Sequence, residues 1–208
     1  MARLAPTVHK WQAKDLVGGD PALDFANTVS GWGTDYEDWL SDYAGLAQWA
    51  QLAGLIGAEE HKQAARMAAA NPAAAERVYA EMAELRLAFI RTIHATIGRR
   101  NATGSDLATI DRWVKTSAVA FELRQSAGAF HSEWGASVSA LEKPLLSAGA
   151  AIGRFLFEAE FEKLKLCALP TCGWLFIDVS KNGRRRWCDM SVCGNLAKAR
   201  RFQARRRV

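Results

Sequence analysis

Cysteine is absent ahead of Cys167 in this chain, and long apolar runs are absent throughout. The most apolar stretch, Ala148 to Phe157, is cut by Arg154 and falls well short of the roughly 20 residues that span a bilayer. Residues 1–14 mix Pro6, His9, Lys10 and Trp11 and contain no apolar run of signal-peptide length. A cytoplasmic protein with no membrane partner is the expectation. There is no P-loop or dinucleotide fingerprint. Gly18-Gly19 precede a helix start but lack the strand and third glycine that a phosphate cradle needs. No Ser-His-Asp order occurs, and His61, His94 and His131 stand in separate elements without a carboxylate or cysteine at useful spacing. They read as surface or core-edge histidines, and no enzymatic activity is expected. No repeat is present, nor any low-complexity segment beyond a basic tail.

What is present suits one helical domain and a small appended module: 208 residues, 50% of them apolar. Asp20-Pro21 signals an N-cap and first helical residue, followed by Leu23, Phe25, Ala26 and Val29 on one face. Gly31 to Asp35 breaks that pattern. Helices are expected from Tyr43, over Glu59 to Ala70, over Ala73 to Gly98 and over Leu107 to Lys115. The third of these is the clearest, with Val78, Met82, Leu85, Phe89, Ile93 and Ile97 at spacings of three and four. Val119, Phe121 and Leu123 alternate with Ala120, Glu122 and Arg124, and Ser126-Ala127-Gly128 turns them back into a hairpin. A last long helix is expected from Val138 to Lys163, with Pro144 splitting or kinking it.

All four cysteines lie in the C-terminal part of the chain, as two Cys-x4-Cys pairs, Cys167/Cys172 and Cys188/Cys193, separated by the segment Gly173 to Trp187. Four thiolates complete a tetrahedral zinc site with no open position, so one structural Zn2+ is expected. An iron–sulfur cluster is the alternative use of four thiolates. Disulfides lack an export signal, and a redox dithiol lacks its Cys-x2-Cys setting. Trp174 to Ile177 reads as a strand and Arg184 to Trp187 as its partner, joined by the turn-forming Asn182-Gly183. Gly173 frees the backbone beside Cys172. Trp187 is expected as a plug over the metal site, and Asn195 as a helix cap in preference to a base contact. A helix follows from Leu196. The fold expected is therefore mainly α: residues 1–163 as a helical domain with a small β-hairpin, then 164–208 as a treble-clef-like zinc finger, a hairpin plus a basic helix.

Charge divides the chain sharply. Residues 1–180 hold 17 Lys and Arg against 21 Asp and Glu, whereas residues 181–208 hold 10 against the single acid Asp189. In this tail Arg outnumbers Lys eight to two, which favours bidentate phosphate or guanine contacts over plain solvation. Arg184, Arg185, Arg186, Lys198, Arg200, Arg201, Arg205, Arg206 and Arg207 are the candidate nucleic-acid contacts. Arg184 and Arg186 would act together, or Arg185 alone, since alternate strand residues face opposite ways. DNA is the expected partner. RNA binding is the runner-up, and a protein-interaction adaptor with a merely solvated tail a third reading.

The residues Cys167-x4-Cys172-Gly173-Trp174-x-Phe176-x-Asp178-x-Ser180, then Arg186-Trp187-Cys188-x-Met190 and Cys193-Gly194-Asn195, resemble the CGNR-type zinc finger. Leu23-Asp24-Phe25-x-Asn27-Thr28, after Gly18-Gly19, is similar to the start of the ABATE domain that precedes this finger. The resemblance implies a bacterial, stress-responsive transcription regulator with the four cysteines as zinc ligands. Leu196 departs from it, standing where the family has Arg; a DNA contact made by that Arg would pass to Lys198 or Arg200. Asp24, Asn27 and Thr28 share a helical face and serve either as internal hydrogen-bond partners, the favoured role, or as the lining of a small-molecule site. The helical domain is expected to act as sensor or homodimer face.

Overall fold

The computed structural model describes residues 9–32 and 37–206. Met1 to Val8, the Gly33–Asp35 part of the expected break, and Arg207 lie outside them. The described residues form two compact units, one from Met1–Ser41 together with Glu160–Val208, the other from Asp42–Ala159. An expected boundary at residue 163 assigned the N-terminal segment to the helices; it folds instead with the C-terminal module.

In the second unit, helices α2 (Tyr43–Leu52), α3 (Ala58–Ala70), α4 (Pro72–Ile97), α5 (Gly104–Val119) and α6 (Lys143–Glu158) follow a short first helix, α1 (Pro21–Ala26), which belongs to the other unit. Polar caps begin several of them. Asp42 accepts from the Gly45 amide, Asn71 from Ala74, and Thr103 from Asp106. Asn71-Pro72 both stops α3 and starts α4, since proline fits the first helical turn and no later one. The same rule corrects the last helix. Pro144 lies in the first turn of α6, so it starts that helix and does not kink it.

The core of this unit buries Leu46, Trp49, Met82, Leu85, Phe89, Ile93, Leu145 and Ile152 completely. Phe89 meets Phe155 edge to face at 5.9 Å. Between α5 and α6 the approach is set by glycine. A Cβ at Gly149 would lie 2.6 Å from Ser117 Oγ and 2.9 Å from the Trp113 carbonyl oxygen, and one at Gly153 would lie 2.9 Å from Val114 Cγ1. Ser117 Oγ also donates to the Leu146 carbonyl at 2.7 Å. With this docking, α5 continues past the expected Lys115 to Val119.

Strands β3 (Phe121–Ser126) and β4 (Ala129–Trp134) pair antiparallel in the expected hairpin, with Phe121 opposite Trp134 and Ser126 opposite Ala129. Ala127 and Gly128 turn it at φ 48° and 80°, the paired left-handed conformation that matches strand twist. No helix among the described residues is long and apolar enough to cross a membrane.

Gly153→Leu should force α5 from α6 and cost about 1–3 kcal/mol by overpacking. Urea unfolding of the helical unit measures it; an unchanged midpoint would show that the glycines do not set this contact.

Candidate metal centre

The finger is built on two short strands, β5 (Leu164–Leu166) and β6 (Leu175–Ile177), paired antiparallel with Leu164 opposite Ile177. Cys167 follows β5 and Cys172 stands just before β6, so the first pair sits on the loop of this ribbon. Gly173 adopts φ 74°, as its place beside Cys172 predicts. Cys188 just precedes, and Cys193 lies within, the start of the final helical run, a wide turn over Met190–Gly194 continuing into helix α7 (Asn195–Arg205). Asp189 caps that run, accepting from the Ser191 and Val192 amides. Asn195 is therefore no cap. It lies one turn inside, its side-chain amide donating to the Ser191 carbonyl.

The expected pairing of 174–177 with 184–187 is not formed. Asp178 explains why. Its buried carboxylate accepts from the Ser180 amide and hydroxyl and from the Arg185 amide at 2.8 Å, and receives Lys165 Nζ at 2.5 Å. These bonds wrap residues 178–185 around one side chain and take the amide a ladder would have used. Lys165 foremost, then Ser180, holds this carboxyl well below the usual carboxylate range. Asn182-Gly183 still turns, with φ 58° at Gly183 and its amide bonded to the Ser180 carbonyl.

The four thiols converge. Their sulfurs lie within 4.8 Å of one another, Cys172 Sγ 3.7 Å from Cys188 Sγ and Cys188 Sγ 3.6 Å from Cys193 Sγ. A tetrahedral Zn2+ with bonds of about 2.3 Å requires sulfur separations of about 3.8 Å. All four cysteines are buried and none is in a disulfide. The electrostatics fit the same ion. Hydrogen bonds from Cys172 and Cys188 favour a thiolate at Cys167, while those same contacts with Cys167 push Cys172 and Cys188 up, and burial raises Cys193. Four thiolates in this volume need a cation among them. The donor set is closed, so the zinc is structural and single.

Around the thiols pack Leu169, Trp174 and Phe176, with Val17, Trp39, Trp187 and Ala197 against them. Trp187 thus plugs the site, as its sequence position suggests. Trp39 meets Trp174 at 5.1 Å and stacks on His9 at 4.3 Å.

The N-terminal segment is tied to this module by backbone-like bonds. Strands β1 (Val29–Ser30) and β2 (Glu37–Asp38) pair with each other, and the residue after β1, Gly31, donates its amide to the Cys172 carbonyl at 2.8 Å. A Cβ on Gly173 would lie 2.9 Å from the Trp32 nitrogen. Asn27, buried, reproduces a strand pairing with its side chain: Nδ2 donates to the Leu175 carbonyl at 2.9 Å and Oδ1 accepts from the Leu175 amide at 2.8 Å. The Ile177 amide donates to the Gly18 carbonyl. Asp24 Oδ1 accepts from the Gly18 amide at 2.7 Å, and Thr28 Oγ1 donates to the Phe25 carbonyl. Burial raises Asp24 to about 6 despite the Gly18 bond. All three side chains are committed within this unit.

Of the basic candidates, Arg184, Arg186, Lys198, Arg200, Arg201, Arg205 and Arg206 are exposed. Arg185 is used internally: its guanidinium lies 4.4 Å over the Phe176 ring and donates to the Trp187 and Cys188 carbonyls. Arg200 also reaches Thr171 Oγ1 at 3.4 Å. Asp178, Asp189, Gly31 and Trp39 were not foreseen as site builders. The Asp189 cap had a signal, an acid directly before a helical run. Gly31 and Trp39, remote in the chain from every cysteine, had none.

This geometry defines a four-thiolate zinc finger with a basic terminal helix. Residues 163–206 match the family described as the CGNR zinc finger, and residues 19–158 match ABATE, described as a "putative stress-induced transcription regulator". The chain belongs to the ABATE family and carries a CGNR zinc finger at its C-terminal end. No curated protein matches it.

Elemental analysis should find one zinc per chain. Asn27→Ala touches no ligand but orphans the buried N–H and C=O of Leu175, at about 1–3 kcal/mol per group. Zinc loss to a chelator should accelerate in this variant. Release at the parent rate would separate the N-terminal segment from the metal site.

Proposed function

We propose that this protein is a DNA-binding transcription regulator whose zinc finger holds a basic helix against duplex DNA. The carrying observation is the exposed cationic surface of the finger. Arg184 and Arg186 on the Asp178-centred loop, Lys198, Arg200, Arg201 and Arg205 along α7, and Arg206 at its C-terminal cap are open to solvent. No acid follows Asp189 to offset them. On α7 these cations surround much of the helix, an arrangement that suits a groove with phosphates on both walls better than a flat partner. Because the zinc is enclosed by four cysteines, it supports this surface and performs no chemistry; no catalytic role is assigned to the chain.

In this reading the helical unit senses a signal or joins two copies, doubling the phosphate contacts. The stress response is the one named by the family description, and a bacterial cytoplasm is its setting. RNA remains the competing polyanion, since charge alone does not choose between them.

Titration of the zinc-loaded chain against duplex DNA and structured RNA at several salt concentrations decides the matter. Duplex DNA should bind more tightly, with affinity falling as salt rises. Arg201→Ala with Arg205→Ala should weaken it and flatten the salt slope by about 2 if both contact phosphate. Preference for RNA, or no binding at low salt, would reject the proposal.

A further inference from the structure

The basic helix also carries exposed apolar side chains, which phosphate binding does not use. Leu196 is 41% exposed and Phe202 62%, in a helix that also carries Lys198, Arg200, Arg201 and Arg205. Phe202 has a partner of its own, the Arg206 guanidinium 5.5 Å over its ring. Successive α-helical residues turn by about 100°, which places Leu196, Ala199 and Gln203 within about 60° of one another. Arg200 borders this stripe on one side and Arg206 on the other. Ala197, the residue of α7 that packs on the cysteine cluster, lies about 130° away from the stripe's centre by the same rotation. The stripe therefore faces outward, with Arg200 and Arg206 at its border positions; the Arg206 guanidinium rests on Phe202 and that of Arg200 reaches Thr171 Oγ1.

We propose that Leu196 and Ala199 contact thymine methyl groups in the DNA major groove, with Gln203 beside them for adenine. The inference rests on the DNA-binding reading above. Charge complementarity selects the occupant: flanking Arg200 and Arg206 fit phosphates on the groove walls, and the central apolar strip fits what lies between them. In that groove only thymine offers an apolar group, its C5 methyl, and a Gln amide pairs with the adenine N6 and N7 edge. The stripe thus matches both partners of an A·T pair. An interfacial membrane helix has a different shape, with a wide apolar face and its cations gathered opposite. Here a stripe of about 60° has arginine on both borders.

The test uses the zinc-loaded full chain and two alternating duplexes of equal length, dA-dT and dA-dU, which carry the same phosphate charge and differ in the C5 methyl. Binding to dA-dT should be tighter by about fourfold for each methyl buried. In Leu196→Ser, an exposed substitution that leaves the charge unchanged, the ratio should fall by about fourfold while affinity for dA-dU stays near the parent value. Equal affinity of the parent for the two duplexes, or a ratio unchanged in Leu196→Ser, would overturn the thymine contact and leave the DNA reading standing. Failure to bind either duplex removes both. Tighter binding to phosphatidylglycerol vesicles than to dA-dT would assign the stripe to a lipid surface instead.

Discussion

Four buried thiolates meeting at one zinc ion constrain everything else in the first unit. Among the described residues its regular structure is slight: ribbons of two and three residue pairs, α-helices of 6 and 11 residues, and short helical turns. The segment that carries the cysteines has little regular structure of its own to offset its ordering entropy. The metal adds free energy there, because ligands that repel one another without it become attractive around it. The position of α7 follows directly, since Cys188 and Cys193 flank and enter the turn that starts it. A basic helix that would otherwise be solvated and frayed is anchored at its N-terminal end by two covalently attached ligands.

The second constraint is a division of labour among polar side chains. Asp178 organises the loop between the cysteine pairs, Asp189 starts the helix, and Arg185 closes over Phe176 and the Cys188 carbonyl. Asn27 acts as one residue of a strand, satisfying both backbone groups of Leu175. Each satisfies backbone groups that short strands leave unpaired. The consequence for function is selective: Arg184 and Arg186 remain on the surface while the arginine between them is spent on the fold.

Much of this was legible in the residues. The helices of the second unit followed from apolar spacing, and the Ala127-Gly128 hairpin from its alternation and turn chemistry. The four ligands followed from their spacing. Other features were hidden for physical reasons. Strand β5 has only three residues, too few for a period to show, so the segment at 184–187 looked like the better partner for β6. The union of the N-terminal segment with the finger rests on pairs such as Asn27 and Leu175, 148 residues apart, and no local pattern reports contacts at that distance. The family match to ABATE begins at residue 19, so its first part is structurally a component of the zinc unit.

That union is the central structural claim, and hydrogen exchange measures it directly. On zinc removal, amide exchange should accelerate in 164–195 and also in 18–31, where the Gly31 amide is held by Cys172 and the Asp24 amide by the turn that Asp20 caps. The helices between Asp42 and Ala159 should keep their protection. If residues 18–31 stay protected in the metal-free chain, the N-terminal segment is stabilised by something other than the zinc-bound finger.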